Sequence, residues 1–362
     1  MIIRTWFFMI VVSLFVFCSN TLAACYFYGV GTMSGTQKFT VPVSLTLSIP
    51  PGIQNGQTIY QQNINLQNIR ELMIKCDTSG QFLFDYDYLA TPKPASTLNS
   101  KIYETGVPGI GIKFSASGQD FPSTQNNTDC SNTNLCKYRY GWNAISSFSL
   151  VKIADNIAAG VITGSNLPTV SYNFGQEGNL VNIYQFSFTG NIHISVPTCD
   201  ISLASQHMTV QMGKHYKGNF AGVGTGTDWK DASIILINCT QFYGNSSAGD
   251  SGATFNGTST TYSIAPNRAE LTLKVLSGIE DAANGIMKID EHPQKATGVG
   301  IQLSTTRSTS GKVDLNNPLI YPLPQDGSST IAIPLYARYV QTKNKVQGGV
   351  ANGRLEYTIT YQ

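Results

Sequence analysis

The sequence predicts an all-β protein made of β-sandwiches, and three observations carry that expectation. No stretch of the 362 residues sustains a helical period. Short runs alternate apolar and polar residues with a period of two, and glycine, proline and asparagine punctuate them at regular spacing. Charged residues make up only 12% of the chain, while Thr, Ser, Asn and Gly abound, as in exported β proteins with hydroxyl- and amide-covered surfaces.

Taken in order, Phe39, Val41, Val43, Leu45, Leu47 and Ile49 alternate up to a turn at Pro50-Pro51-Gly52. Residues 59–66 and 72–76 read as further strands. Phe82, Phe84, Tyr86 and Tyr88 mark one face of the next, with Asp85 and Asp87 on the solvent side. A Pro-rich loop at 91–94 precedes strands at 109–114, 148–151, 157–162 and 184–196. Beyond Cys199 the style repeats at 208–213, 234–239, 271–276, 298–303 and 331–339. Tyr243 to Thr261 is rich in Gly, Ser, Thr and Asn and reads as a long polar loop of the second half.

The last segment is the most regular. Leu355, Tyr357, Ile359 and Tyr361 fall on one face, and Arg354, Glu356, Thr358 and Thr360 on the other. A terminal strand with an apolar face and no following partner leaves a row of unpaired backbone groups, so a second chain is one expected occupant of its edge. A strand tucked inside its own sheet is the other.

Residues 1–23 read as a secretory signal: Arg4, an apolar run from Trp6 to Phe17, and Thr21-Leu22-Ala23 before cleavage. The formal charge of +2 falls to +1 once Arg4 is removed, and no basic run follows, which argues against a nucleic-acid partner. Of seven cysteines, Cys18 leaves with the signal; the other six suggest three disulfides in an oxidising compartment. Sequence order suggests Cys25 with Cys76, Cys130 with Cys136 and Cys199 with Cys239, one of the fifteen connectivities that six cysteines allow. Leu22-Ala23-Ala24-Cys25 also fits a lipoprotein box, which would leave Cys76 an odd thiol.

Two chemical motifs lack the partners their chemistry needs. Gly249-Asp250-Ser251-Gly252 matches a serine-protease nucleophile signature, but Ala253 replaces the following glycine and no suitable histidine precedes it. His193, His207, His215 and His292 show no metal spacing. No enzyme activity, metal or cofactor is therefore expected.

Residues 199–362 resemble a pilin domain of chaperone–usher fimbriae. The likeness lies in two cysteines forty residues apart, Val210-Gln211-Met212-Gly213, Phe220 with Val223-Gly224, Gly298-Val299-Gly300-Ile301, Ala337-Arg338-Tyr339 and a penultimate tyrosine. Residues 24–196 resemble, more loosely, the receptor-binding domain of two-domain tip adhesins such as the mannose-binding tip of type 1 fimbriae. Cys25 with Cys76, Ala158-Ala159-Gly160-Val161-Ile162, and Tyr184-Gln185-Phe186 leading to Val196-Pro197-Thr198 carry that likeness. Pro197-Thr198 would be the linker.

The resemblance implies two immunoglobulin-like sandwiches, the second lacking its last strand. Leu355, Tyr357, Ile359, Tyr361 and Gln362 would line a groove filled first by a periplasmic chaperone, then at the outer-membrane usher by the next subunit's donor strand. Cys25 stands one residue past the predicted cleavage site, leaving no room for a donor extension, so the subunit would end the fibre as a tip adhesin on a Gram-negative surface.

A host glycan or glycoprotein is the expected ligand. By position the resemblance points to Tyr26–Tyr28, to Asp77-Thr78-Ser79, and to a late loop, Tyr172 to Asn182, with Asn173, Gln176, Glu177, Asn179 and Asn182. Thr78-Ser79 replaces the Asn-Asp pair of the mannose binder, which argues against mannose. A second candidate is Tyr138, Tyr140 and Trp142, with Asn143; its rival is a strand with the three rings on the core face. A structural adaptor subunit whose first domain binds protein is the alternative function.

Overall fold

The computed structural model describes residues 24–66, 70–138, 146–246 and 252–362. Among them strands dominate the regular structure, with one α-helical turn at Leu203–Gln206 and short 3-10 turns at Gly164–Asn166, Lys217–Asn219 and Thr309–Gly311. The three disulfides pair in sequence order, Cys25–Cys76, Cys130–Cys136 and Cys199–Cys239. Cys25 is therefore bonded within the chain, where the lipoprotein reading needs its thiol free.

In the front half, a five-stranded sheet runs Ser123–Asn126, Phe82–Ala90, Thr169–Gln176, Asn179–Thr189, Gln37–Pro42. Facing it are Thr58–Ile64, Ser146–Lys152, Ile110–Ala116 and Tyr103–Glu104. Ser146–Lys152 is buried along its whole length because the two neighbouring strands flank it. Phe82, Phe84 and Tyr86 point inward as the alternation requires, and Tyr88 is half-buried. Rings from both layers meet in one core, with Phe114 at 5.6 Å and Phe148 at 5.1 Å from Phe188. Such aromatic pairs add specific geometry to the area they bury.

The predicted run from Phe39 to Ile49 is two strands, Gln37–Pro42 and Leu45–Ser48, in different sheets. The run at 184–196 breaks in the same way, into Asn179–Thr189 and Asn191–Ser195. Each piece pairs in parallel with its counterpart, so both strands change sheet side by side. The crossing forces Gly190 to φ +89°, where a β-carbon would stand 2.7 Å from the Val43 carbonyl oxygen.

The back half holds two smaller cores. One gathers Ala232, Met287, Ile301, Leu303 and Leu335, the other Ile234, Leu236, Phe242, Leu271 and Ile333. The run 208–213 forms no strand: its backbone joins no ladder, although Met208, Val210 and Met212 are half-buried and alternate with exposed Thr209 and Gln211.

The polar segment 243–261 is not a loop of the back half. Ala253–Phe255 pairs in parallel with Thr58–Ile64 and antiparallel with Thr260–Tyr262, which places a hairpin from the back of the sequence at the edge of a front sheet. Its small polar residues cap turns (Asn256 accepts backbone N–H groups of Thr258 and Ser259), while the interspersed Ala253 and Phe255 enter the front core.

Candidate functional site

Two surfaces concentrate the residues singled out from the sequence. The first is the terminal strand, Leu355–Tyr361, which pairs antiparallel with Arg268–Val275 on one side. Arg268 and Gln362 exchange both backbone hydrogen bonds, at 2.7 and 2.8 Å. Antiparallel geometry then turns the backbone groups of Leu355, Tyr357, Ile359 and Tyr361 to the opposite edge. No strand among the described residues pairs with that edge.

The side chains of these same four residues are only half-buried, whereas Ala269 and Leu271 on the adjoining strand are fully covered. Leu355 packs on one back-half core and Tyr357, Ile359 and Tyr361 on the other; Met208 touches both. The Tyr357 hydroxyl donates to the Ser205 carbonyl oxygen. Burial raises the Tyr357 and Tyr361 pKa values above the ordinary range. Two extended stretches, 208–212 and 355–361, thus present half-covered apolar rows with ladder positions open. A pocket of about 340 Å³ lies beside the start of the terminal strand, lined by His215, Phe220, Val299, Tyr339 and Val350. Gln362 sits at the far end, its side-chain amide on the Glu270 carboxylate at 2.7 Å.

The second surface is the end of the front half where the chain turns after Gln176. The hairpin joining Thr169–Gln176 to Asn179–Thr189 brings Gln176 against the end of Leu72–Gly80. The Gln176 side chain, 8% exposed, donates to the carbonyl oxygens of Thr78 and Thr133 at 3.0 and 3.1 Å. One residue earlier, Asp77 Oδ2 accepts the Ala24 N–H at 2.9 Å. The beginning of the described chain, the stretch after Cys76 and the late hairpin therefore converge.

Most of the expected late loop is a pair of strands. Asn173 and Asn182 lie on the outer face of the sheet, and only Glu177 and Gly178 make the turn. Asn173 donates to Asp85 Oδ2 at 3.1 Å and accepts from Asn182 Nδ2 at 2.8 Å, while Thr124 donates to Asp85 Oδ1. Gln176, Asn173 and Asn182 thus spend hydrogen bonds on the fold; Glu177 is exposed and Asn179 half-exposed. Asp85, read as solvent-facing, is tied into this network, whereas Asp87 is exposed.

Tyr26 and Tyr28 differ: they are 42% and 43% exposed and share the outer face of Cys25–Phe27 and its continuation. Their rings meet edge to face at 6.5 Å, and the Lys75 ammonium stands 5.0 Å over Tyr28. Leu135, 39% exposed, pairs in register with Lys75 on the next strand. Cys25–Cys76 clamps this sheet from beneath, since the half-buried Cys25 and buried Cys76 point to the core. Lys75 and Leu135 escaped the sequence reading because only strand pairing makes them neighbours of Tyr26. Tyr138 packs on Phe84 at 5.0 Å, on the core side. Tyr140, Trp142 and Asn143 lie outside the described residues, as do the signal segment and residues 249–251 of the protease-like motif.

His193 is exposed on Asn191–Ser195, His215 contacts the Met212 carbonyl oxygen, and His292 accepts the Gln294 N–H. No group of three His, Cys, Asp or Glu side chains among the described residues is placed to hold a metal ion.

Two family models match the chain: a MrkD-like receptor binding domain over residues 46–191 and a fimbrial protein over residues 186–362. A fimbria adhesin protein of Klebsiella pneumoniae is 24% identical over 319 residues, covering 86% of this chain and 88% of that one. Among solved structures, the CupB6 tip adhesin of Pseudomonas aeruginosa is 14% identical, with a TM-score of 0.35 over 93% of this chain and 94% of that chain. The receptor binding domain of the plasmid-born adhesin MrkD1P of Klebsiella pneumoniae is 19% identical, with a TM-score of 0.35 over 50% of this chain and 99% of that chain.

Proposed function

Because the chain belongs to the two-domain adhesins of chaperone–usher fimbriae, we propose that it ends the fibre and binds a host receptor through residues 24–196. In this reading residues 1–23 are its signal, 197–198 its linker, and 199–362 a pilin domain that accepts a donor strand. The observation that carries the reading is the outer edge of Leu355–Tyr361, open beside two half-covered apolar rows. A strand inserted there would pair with the outward backbone groups and cover Leu355, Tyr357, Ile359 and Tyr361 in one step. A periplasmic chaperone would fill this edge until the usher exchanges it for the next subunit.

The receptor face is Tyr26, Tyr28, Lys75 and Asp77, flanked by Glu177. Exposed tyrosines offer flat apolar faces to a sugar ring, and the adjacent charged groups offer hydrogen bonds to its hydroxyls. A host glycan or glycoprotein suits this chemistry, and the protein acts as a binder rather than as an enzyme. The alternative, an adaptor that engages only protein, is favoured by Leu135, which widens the apolar part of the face beyond one sugar ring.

The test of the edge is secretion of the full chain with and without its chaperone. Monomeric, protease-resistant protein accumulating without a chaperone would overturn strand acceptance. The test of the receptor is adherence of whole fimbriae with free sugars as competitors. Competition supports the glycan reading; adherence to protein coats unmoved by any sugar supports the adaptor.

A further inference from the structure

The hairpin 252–262 lies in the half of the sequence read as a pilin domain, yet it completes a sheet of the receptor-binding half. Ala253, Thr254 and Phe255 stand in parallel register with Gln62, Asn63 and Ile64. The Gly252 N–H donates to the Gln61 carbonyl oxygen at 2.9 Å, and the Asn65 N–H to that of Phe255 at 2.8 Å. Ala253 and Phe255 are each 2% exposed within the front core, as buried as the residues native to it. Gly252 passes so close to Tyr60 that a β-carbon would stand 2.8 Å from the ring.

The hairpin's last residue and the segments that flank it in sequence are fixed to the front half as well. At the return, the Tyr262 hydroxyl accepts the Ser44 N–H at 3.1 Å. Upstream of it, Ser48 accepts the Tyr243 N–H at 2.7 Å and donates its own N–H to the Gly244 carbonyl oxygen at 2.9 Å. Asn267, fully buried, joins the same point: its Oδ1 accepts the Gly244 N–H and its Nδ2 donates to the Ser48 carbonyl oxygen. Without the hairpin, Thr58–Ile64 would be a bare edge strand above an empty Phe255 socket, an arrangement that natural sheets avoid.

We propose that residues 252–262 are a strand donated in cis, and that the receptor-binding half needs it to close its core. The occupant of the Thr58–Ile64 edge is this chain's own hairpin. The two halves then melt and bear load as one body instead of swinging on Pro197-Thr198, which is a property separate from the open edge at Leu355–Tyr361.

The test uses the full chain. In the unmodified protein the amides of Thr58–Ile64 are expected to be protected from hydrogen exchange, and thermal unfolding to show one transition. Phe255→Asp is expected to raise exchange in that strand by about tenfold or more, an open-edge population gain equivalent to ~1.4 kcal/mol, and to split the melt in two. Because that variant could fail to fold, a second one, Asn63→Cys with Thr254→Cys, joins direct register partners across the seam. It is expected to oxidise completely and keep a single melt, with fimbrial adherence under flow equal to that of its reduced form. Two melts in the unmodified protein, free exchange of Thr58–Ile64, or adherence that changes on oxidation would each overturn the proposal.

Discussion

The carbonyl oxygen of Tyr361 lies 2.6 Å from where a β-carbon on Gly52 would stand, and the Thr360 methyl lies 2.7 Å from the same point. Tyr361 turns that oxygen to the open edge of the terminal strand, so the Pro50-Pro51-Gly52 turn of the front half sits over the end of that edge. The obstacle is backbone and cannot rotate away. Gly52→Val is expected to push turn and strand apart and to destabilise the protein by about 1–3 kcal/mol. A melting temperature equal to that of the unmodified chain would show that the contact yields freely.

The same turn is held from the other side. Lys152 is 4% exposed, and its ammonium donates to the carbonyl oxygens of Pro51 and Ile53 at 3.3 and 2.6 Å. Lys152→Met keeps the length and removes the donors, leaving two carbonyl oxygens short of partners. Denaturant titration should show a loss of about 1–3 kcal/mol.

Ile359 has a half-covered side chain, and its backbone faces the open edge. Ile359→Asp places a charge where an incoming strand would have to cover it. Incorporation of the subunit into fimbriae, scored by immunoblot of the sheared fibre, should fall by about tenfold or more, the equivalent of ~1.4 kcal/mol. Thr358→Asp, on the exposed face, should leave incorporation unchanged.

The proposed receptor face and the asparagine network should separate cleanly. Tyr28→Ala removes an exposed ring stacked under Lys75 and should cost adherence about 1–2 kcal/mol, the scale of an interface aromatic, with the melting temperature unmoved. Asn173→Ala strips partners from Asp85 and Asn182, so the loss should appear as stability, about 1–2 kcal/mol, with adherence retained. The reverse pattern would move the binding site to the outer face of the five-stranded sheet.

Burial raises the pKa values of the Tyr60, Tyr172 and Tyr184 hydroxyls well above the ordinary tyrosine value near ~10. Above that value the unfolded chain gives up these protons while the folded chain keeps them. The stability they contribute is therefore whole below pH ~10 and declines as the pH climbs toward the raised folded values. Phenolate absorbance should lag behind the count of tyrosines until the protein unfolds, then rise in one step.

Period-two alternation was enough to place Phe82, Phe84, Tyr86 and the terminal strand, since each obeys a rule that operates within a single strand. The pairing of six cysteines is the one their order suggested among fifteen connectivities, and the folded chain selects it. What alternation could not reveal was where a strand changes sheet. Phe39 to Ile49 keeps its period through the crossing at Val43, because both segments bury the same parity of side chain. Nor could local pattern give Tyr26 its neighbours Lys75 and Leu135, which strand register supplies.

The segment 243–262 marks the division most sharply. Its Gly, Ser, Thr and Asn content describes turns and solvent, and by that measure it is a loop. Ala253 and Phe255 alternate for only three residues, too few to signal a strand, and the edge that makes them one lies about 190 residues earlier. Local chemistry along the chain determined the alternation within strands such as Phe82–Ala90 and Leu355–Tyr361 and which of their faces is apolar. Only the folded chain decided which edge each strand would take, because hydrogen-bond partners distant in sequence compete for the same open backbone groups.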